Sequence, residues 1–487
     1  MDLPQLIYSK IIIDTLNIAA HSTDQSLNGK LTASEISNPT LKLENIAIGT
    51  TLEHNQLHFA IQTAKDDSTK ILSLAGHLKS ENKSFDLKLD STLILNTNNW
   101  TVDTNNSLIF NKDGIIATDF ILRDSTQSIS INSTEKIAQS PLKVDFKSFQ
   151  LETFSKLIEN KEELARGTLN GSVILKQGNP STSFTSDLQL KELTFKGIPT
   201  GNVHLIASNT TNPKKFDLKL NLSGYDNTIH VDGFYSTETQ TPSLNLSLVV
   251  EQLNLKTIEP YTFGQVKQMS GVVKGKVAVS GNTANPTIEG AFHLTSCAFR
   301  PSFLDSYLRV ENETITFDSK KVKFNSFTLV DSLDNKATID GYANIQDFKT
   351  IPFDLHLETK NFLALNTTEK DNDLYFGKIY LDSDLFLKGN SNHPVINGKI
   401  GLKKGTVITY VKPENMASQN DHKGIVEFID TLETQRNIIT RKKAQEEITT
   451  TKGINLKTTI NFDKDAELKM LVDRSSGDSL YIKGSGQ

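Results

Sequence analysis

Nearly every stretch of this chain alternates apolar and polar residues one by one, and that alternation restricts the fold more than any other feature. Phe85 to Asp90 (FDLKLD), Phe216 to Asn221 (FDLKLN) and Phe353 to Glu358 (FDLHLE) are near copies, with apolar residues at the first, third and fifth positions. A period of two is the signature of a β-strand with one greasy face and one wet face. Phe216, Leu218, Leu220 and Leu222 therefore share one face, while Asp217, Lys219 and Asn221 meet water. The same division holds at Leu244, Leu246 and Leu248, at Val277 and Val279, at Phe292 and Leu294, at Ile339, at Phe353, Leu355 and Leu357, and at Leu385 and Leu387. The pattern predicts an all-β protein: a long, repetitive, curved sheet whose apolar faces form one open groove, with few short helices.

Larger repeats organise the strands. Gly171 to Pro180 (GSVILKQGNP), Gly275 to Pro286 (GKVAVSGNTANP) and Ser383 to Pro394 (SDLFLKGNSNHP) each run from alternating residues to a Gly and then a Pro. Further alternating runs start near Pro141, Pro242 and Pro352, 101 and 110 residues apart. Ser107 to Ile131 also matches Glu313 to Ile339, placing Phe110 with Phe317 and Asp124 with Asp331, two units apart. The period exceeds the ~20 to 50 residues of short solenoids, so each unit holds several strands stacked on the next. The expected divisions are a divergent unit at 1–140, repeat units at 141–241 and 242–351, and a distinct region at 352–487 with a flexible excursion near 431–452. Amphipathic helices are expected at Thr153 to Leu164 and Ile258 to Met269, a tight turn at Asp113-Gly114, and a longer turn from Asp331 to Lys336.

Composition agrees with a thin, extended body. Only 37% of the 487 residues are hydrophobic, against the ~45 to 50% of ordinary globular chains. A net charge of −5 without a basic stripe argues against nucleic acid as a partner. Cys297 is the sole cysteine, so there is no intrachain disulfide. No stretch reaches the ~18 apolar residues of a membrane-spanning helix, and both ends read as cut from something longer.

Motifs for catalysis and cofactors are missing. There is no P-loop, GxSxG, HExxH or paired CxxC, and the chain reads as a non-enzyme without metal or cofactor. His54 and His58 would lie ~13 Å apart on a strand, too far to share one zinc ion. Asp382 and Asp384 share a strand face that reads as solvated, and Asp463, Asp465 and Glu467 lack the glycine-rich context of a β-roll calcium site.

The ordered set of markers resembles the TamB family of bacterial envelope proteins, with AsmA-like relatives. Gly275 to Leu294 resembles that family's repeats, and Glu313 to Ile345, with Asp340-Gly341-Tyr342, its hairpin series. Asn361 to Gly377 and Leu468 to Gly484 resemble pieces of its C-terminal domain. The resemblance implies a protein anchored in the inner membrane, crossing the periplasm as a taco-shaped β-sheet, and engaging an outer-membrane partner of the Omp85/TamA type. It implies roles in outer-membrane protein assembly and autotransporter secretion or, as in AsmA-like relatives, in moving phospholipid between membranes.

About 30 strands stacked ~4.8 Å apart would reach roughly 140 Å, the length of a bridge. An apolar trough along such a body would suit acyl chains or an unfolded outer-membrane client. The alternatives are a trough filled by its own side chains, giving an inert spacer, and a surface adhesin or structural solenoid.

Overall fold

A computed structural model describes residues 1–38, 42–65, 69–153, 164–178, 181–345, 350–411, 455–472 and 477–486. Residues 154–163 of the helix expected at Thr153 to Leu164, and the excursion expected near 431–452, lie outside the described residues. By contacts the chain divides into two compact units, one of residues 1–260 and 278–284, the other of residues 261–277 and 285–487. The alternating sequence has become strand almost throughout both.

In the first unit the strands follow one another as antiparallel neighbours. Ile11–Ser22, Ser26–Ser37, Lys42–Glu53, Gln56–Ala64 and Lys70–Glu81 form one such series. A second runs from Gln127–Ser133 through Leu142–Gln150, Ala165–Lys176, Ser183–Phe195, Ile198–Ser208, Lys215–Gly224 and Asn227–Ser236 to Ser243–Asn254. Between the two series the sheet forks. Residues 76–81 continue into Ser84–Leu89, Ser107–Asn111 and Gly114–Thr118. Leu72 and Ser73 instead pair with Thr92–Leu95, half of a hairpin with Asn98–Val102 that leads through Phe120–Asp124 back to Gln127–Ser133.

In the second unit an antiparallel ladder runs from Asn285–Pro301 to Pro394–Leu402. The Tyr375–Asn390 strand then pairs with both Pro394–Leu402 and Val407–Val411, which take parallel partners in Asn455–Phe462 and Glu467–Leu471.

Two devices bend these strands. One is a bulge with a left-handed residue at Ser148, Glu192, Ser326 and Asn361, whose φ angles are 47, 54, 50 and 48°. The ladder register shifts at each of the four. An Oδ1 on the next strand accepts each bulge N–H: Asn170 at 2.8 Å, Asn202 at 2.9 Å, and Asp340 and Asp382 at 2.7 Å. A bulge adds one residue to one strand, so it raises twist and switches which face the following side chains meet. Phe146 and Phe149 consequently touch edge to face at 5.9 Å, as Phe324 and Phe327 do at 5.7 Å. The other device is glycine at a strand centre. At Gly233 (φ 147°) a Cβ would stand 1.9 Å from the Asn245 carbonyl oxygen, so only glycine permits the close approach.

Of the local expectations, the longer turn holds as stated. The Asp331 to Lys336 turn joins Lys321–Val330 to Lys336–Asn344, and the buried Asp331 carboxylate accepts the N–H groups of Leu333, Asn335 and Leu363. The turn after Phe110 falls at Lys112-Asp113, because Asn111 pairs with Gly114. The helix expected at Ile258 to Met269 is instead a 3-10 helix at Leu255–Thr262 followed by a strand from Val266. Pro260 lacks an amide N–H for a longer helix, and positive φ at Phe263 and Gly264 turns the chain away.

Candidate functional site

Cross-strand register gathers the expected groove residues of the first unit into rows. Leu220 stands opposite Leu205 and Val231, and Val231 opposite Leu248. The row continues from Leu205 through Leu188 and Gly171 to Phe146 and Ile129. Leu222 lies in a parallel row between Val203 and Ile229, which leads to Val250. Leu218 and Leu246 flank Gly233, and Phe216 and Leu244 flank Tyr235. Rings at Phe184, Phe216 and Tyr235 follow one another at 6.2 and 6.1 Å.

The burial of these rows decides what they can do. Phe216, Leu218, Leu220, Leu244, Leu246 and Leu248 are half-buried, neither sealed in a core nor free in solvent. In the adjoining row Leu222 keeps 9% exposure and Val250 3%. The seven residues from Phe216 to Leu222 span ~20 Å, and eight strands from Gln127–Ser133 to Ser243–Asn254 span ~34 Å. That footprint exceeds the few hundred Å² of apolar patch that soluble monomers usually leave open.

In the second unit Leu355 lies between Gly341 and Leu387, and Leu387 leads to Ile396. Leu357 lies between Ile339 and Leu385, and Phe353 between Ala343 and Gly389. Phe353, Leu355, Leu387 and Ile339 are half-buried and Leu385 is buried, while Leu357 packs against the closed cluster of Leu308, Ala337 and Phe362. Phe292 faces Ile315 and meets Phe317 edge to face at 5.5 Å. Leu294 stands across from Glu313, whose Oε1 accepts the Thr328 N–H at 3.0 Å, so a carboxylate interrupts the apolar face there. Val277 is buried at 4% exposure and Val279 is half-buried.

The polar candidates remain on the wet face. His54 sits in a turn with φ 46°, whereas His58 faces His77 across two strands at 5.8 Å. Asp382 accepts from Lys403 at 2.8 Å and from the Asn361 N–H. Burial pushes its pKa up, but those two hydrogen bonds and the Lys403 charge outweigh this and hold it below the ordinary value. Asp384 meets His356 at 2.8 Å, and Glu358 stands directly across from Asp384. These three are exposed or half-exposed, His356 stacks on Phe386 at 4.3 Å, and Lys399 opposite Asp384 supplies a counter-charge. Cys297 is buried, and that burial raises its thiol pKa, which disfavours the nucleophilic thiolate.

A family model for the TamB N-terminal domain matches residues 2–294, and one for the TamB C-terminal domain matches residues 325–487. The chain belongs to the TamB family. Searches of curated proteins and of solved structures found no match. Membership makes this a cell-envelope protein. Among the described residues no helix is long and apolar enough to cross a membrane.

Sequence reasoning missed several members of the TamB face, namely Leu188, Leu205, Val231 and Val250, although all sit in alternating runs. It also missed the bulges, whose signal is the repeated Phe-x-Ser-Phe of FKSF (146–149) and FNSF (324–327).

Proposed function

We propose that this TamB-type chain is a non-enzymatic carrier of phospholipid, holding acyl chains against its half-buried apolar rows as they pass between inner and outer membranes. The observation that carries the reading is the row from Phe146 to Leu248, apolar at every step except Gly171, and half-buried over Leu220, Val231 and Leu248. Its ~20 Å breadth accommodates one leaflet's acyl chain, ~15 Å in a bilayer whose hydrocarbon core is ~30 Å thick. Removing acyl methylenes from water favours occupancy by ~0.8 kcal/mol each when fully covered.

An unfolded protein client is less well served here. A client strand needs an unpaired main-chain edge, yet each strand from Gln127–Ser133 to Asn227–Ser236 is paired on both sides. The face offers side chains and not backbone. In this reading the complete protein is anchored in the inner membrane, traverses the periplasm and delivers lipid beside an Omp85/TamA-type partner.

The test is native mass spectrometry with lipid extraction on the protein purified from bacterial envelopes in mild detergent. Phospholipid should co-purify and be depleted by Leu246→Asp. A lipid-free protein carrying unfolded outer-membrane clients would replace the reading with the assembly role.

A further inference from the structure

The apolar face of the first unit has two half-buried reaches, and something stands between them. One reach is the face already described, ending at Phe146 and Phe149. The other includes the half-buried row Leu74, Ile61, Ile48 and Leu31, which ends on the exposed Ile18. Between them the hairpin of Thr92–Leu95 and Asn98–Val102 projects Leu93, Leu95, Trp100 and Val102 into a closed cluster with Phe149. Trp100 is 0% exposed and Phe149 1%. Leu72 and Leu74 pack on the cluster from one reach, and Phe146 and Leu169 from the other. The hairpin therefore obstructs the face where its own side chains seal it.

Three observations mark the obstruction as movable. Among the described residues the Trp100 Nε1–H is buried without a hydrogen-bond partner, a penalty that is relieved if the indole reaches an acceptor. The hairpin's ladder register with the sheet is short, two residue pairs on each side, Leu72 and Ser73 with Leu95 and Ile94, and Leu122 and Arg123 with Val102 and Thr101. It is supplemented by Thr97 N–H to the Ile71 carbonyl at 3.4 Å, Asp103 N–H to the Ile121 carbonyl at 3.1 Å and Asn96 Nδ2 to the Glu152 carbonyl at 3.3 Å. The neighbouring Gly114–Thr118 strand has a ladder partner on one side only. Its other edge is stitched by side chains. Gln177 accepts the Ile115 N–H at 2.7 Å and donates to the carbonyls of Ile115 and Ser140 at 2.7 and 2.8 Å, while Ser133 Oγ accepts the Ala117 N–H at 2.9 Å. The ladder around the hairpin is thus short, and the packing of the sealed cluster is the main term that opposes its opening.

We infer that the 92–102 hairpin is a gate across the apolar face, and that Trp100 is the side chain a passing acyl chain displaces. The inference rests on the lipid-carrying reading. An acyl chain advancing along the Leu188 to Leu248 row meets Phe146 and Phe149 first, then the indole. Displacing the hairpin costs two short pairings and the packing of Trp100. The incoming chain restores apolar contact, and the freed indole can reach a hydrogen-bond acceptor.

Trp100 is the only tryptophan in the chain, so its emission reports on the gate alone. The protein is incubated with vesicles of a phospholipid bearing brominated acyl chains, which quench indoles on contact, and bound lipid is counted separately by native mass spectrometry. Quenching of most Trp100 emission, in step with lipid bound, is expected. A second variant, Ser73→Cys/Ile94→Cys with Cys297→Ala, pins the hairpin to its neighbour, since these positions face each other across the ladder at a separation a disulfide bridges. Oxidation should abolish quenching, and reduction should restore it. Bound lipid with Trp100 unquenched overturns the gate, as does quenching that survives oxidation. Absence of any bound lipid removes the carrier reading itself, and the gate with it.

Discussion

Leu246→Asp separates an open trough from a filled one. Leu246 is half-buried and faces Gly233, which has no side chain to cover it. Full burial of a leucine is worth ~1.5–3 kcal/mol, so the half-covered Leu246 contributes ~1 kcal/mol. In an open trough the new carboxylate stays hydrated, and the loss should remain ~1–2 kcal/mol, with the circular dichroism spectrum unchanged and a small fall in urea midpoint. In a sealed core the same change strands an unpaired charge, costing several kcal/mol more. Val310→Asp, at a position 0% exposed in the second unit, supplies that comparison and should collapse its surroundings. Phospholipid bound per chain should fall for Leu246→Asp at nearly native stability. A Leu246→Asp protein as destabilised as Val310→Asp would refute the open face.

Other consequences follow from single contacts. Gly233→Ala should destabilise by more than ~1 kcal/mol and speed hydrogen exchange at Asn245 and Leu246, because its Cβ meets the Asn245 carbonyl; unchanged exchange would mean the ladder yields freely. Asp331→Ala orphans three N–H groups, of which that of Leu363 is buried, and should cost ~1–3 kcal/mol in urea melts that follow the second unit, with Asp331→Asn costing less; equal losses would contradict the acceptor role. Asp382, whose pKa is depressed in the folded protein, contributes stability that is present above the ordinary value of 3.8 and lost as pH falls through the lower folded value. Asp382→Asn should therefore flatten the acid limb of stability below about pH 4, and an unaltered limb would show that the Lys403 contact is inconsequential.

What this chain determined by sequence alone is its local geometry. Alternation at Phe216, Leu218, Leu220 and Leu222 made a strand with one apolar face, because a period of two is a property of neighbouring residues. The TamB markers were legible for the same reason, being short ordered strings. Tertiary structure decided which rows meet, because register is set between residues tens of positions apart. It also decided where the face turns. At FKSF and FNSF one inserted residue reverses the in–out parity, and the acceptor that permits it, Asn170 or Asp340, comes from another strand. Openness too was invisible in sequence. Leu93, Leu95, Trp100 and Val102 alternate as Leu244, Leu246 and Leu248 do, yet the first set is sealed and the second half-buried. The difference is the fork after Lys70–Glu81, which folds a short hairpin onto the apolar face, whereas around Leu246 the ladder runs on and no described residue is laid across it.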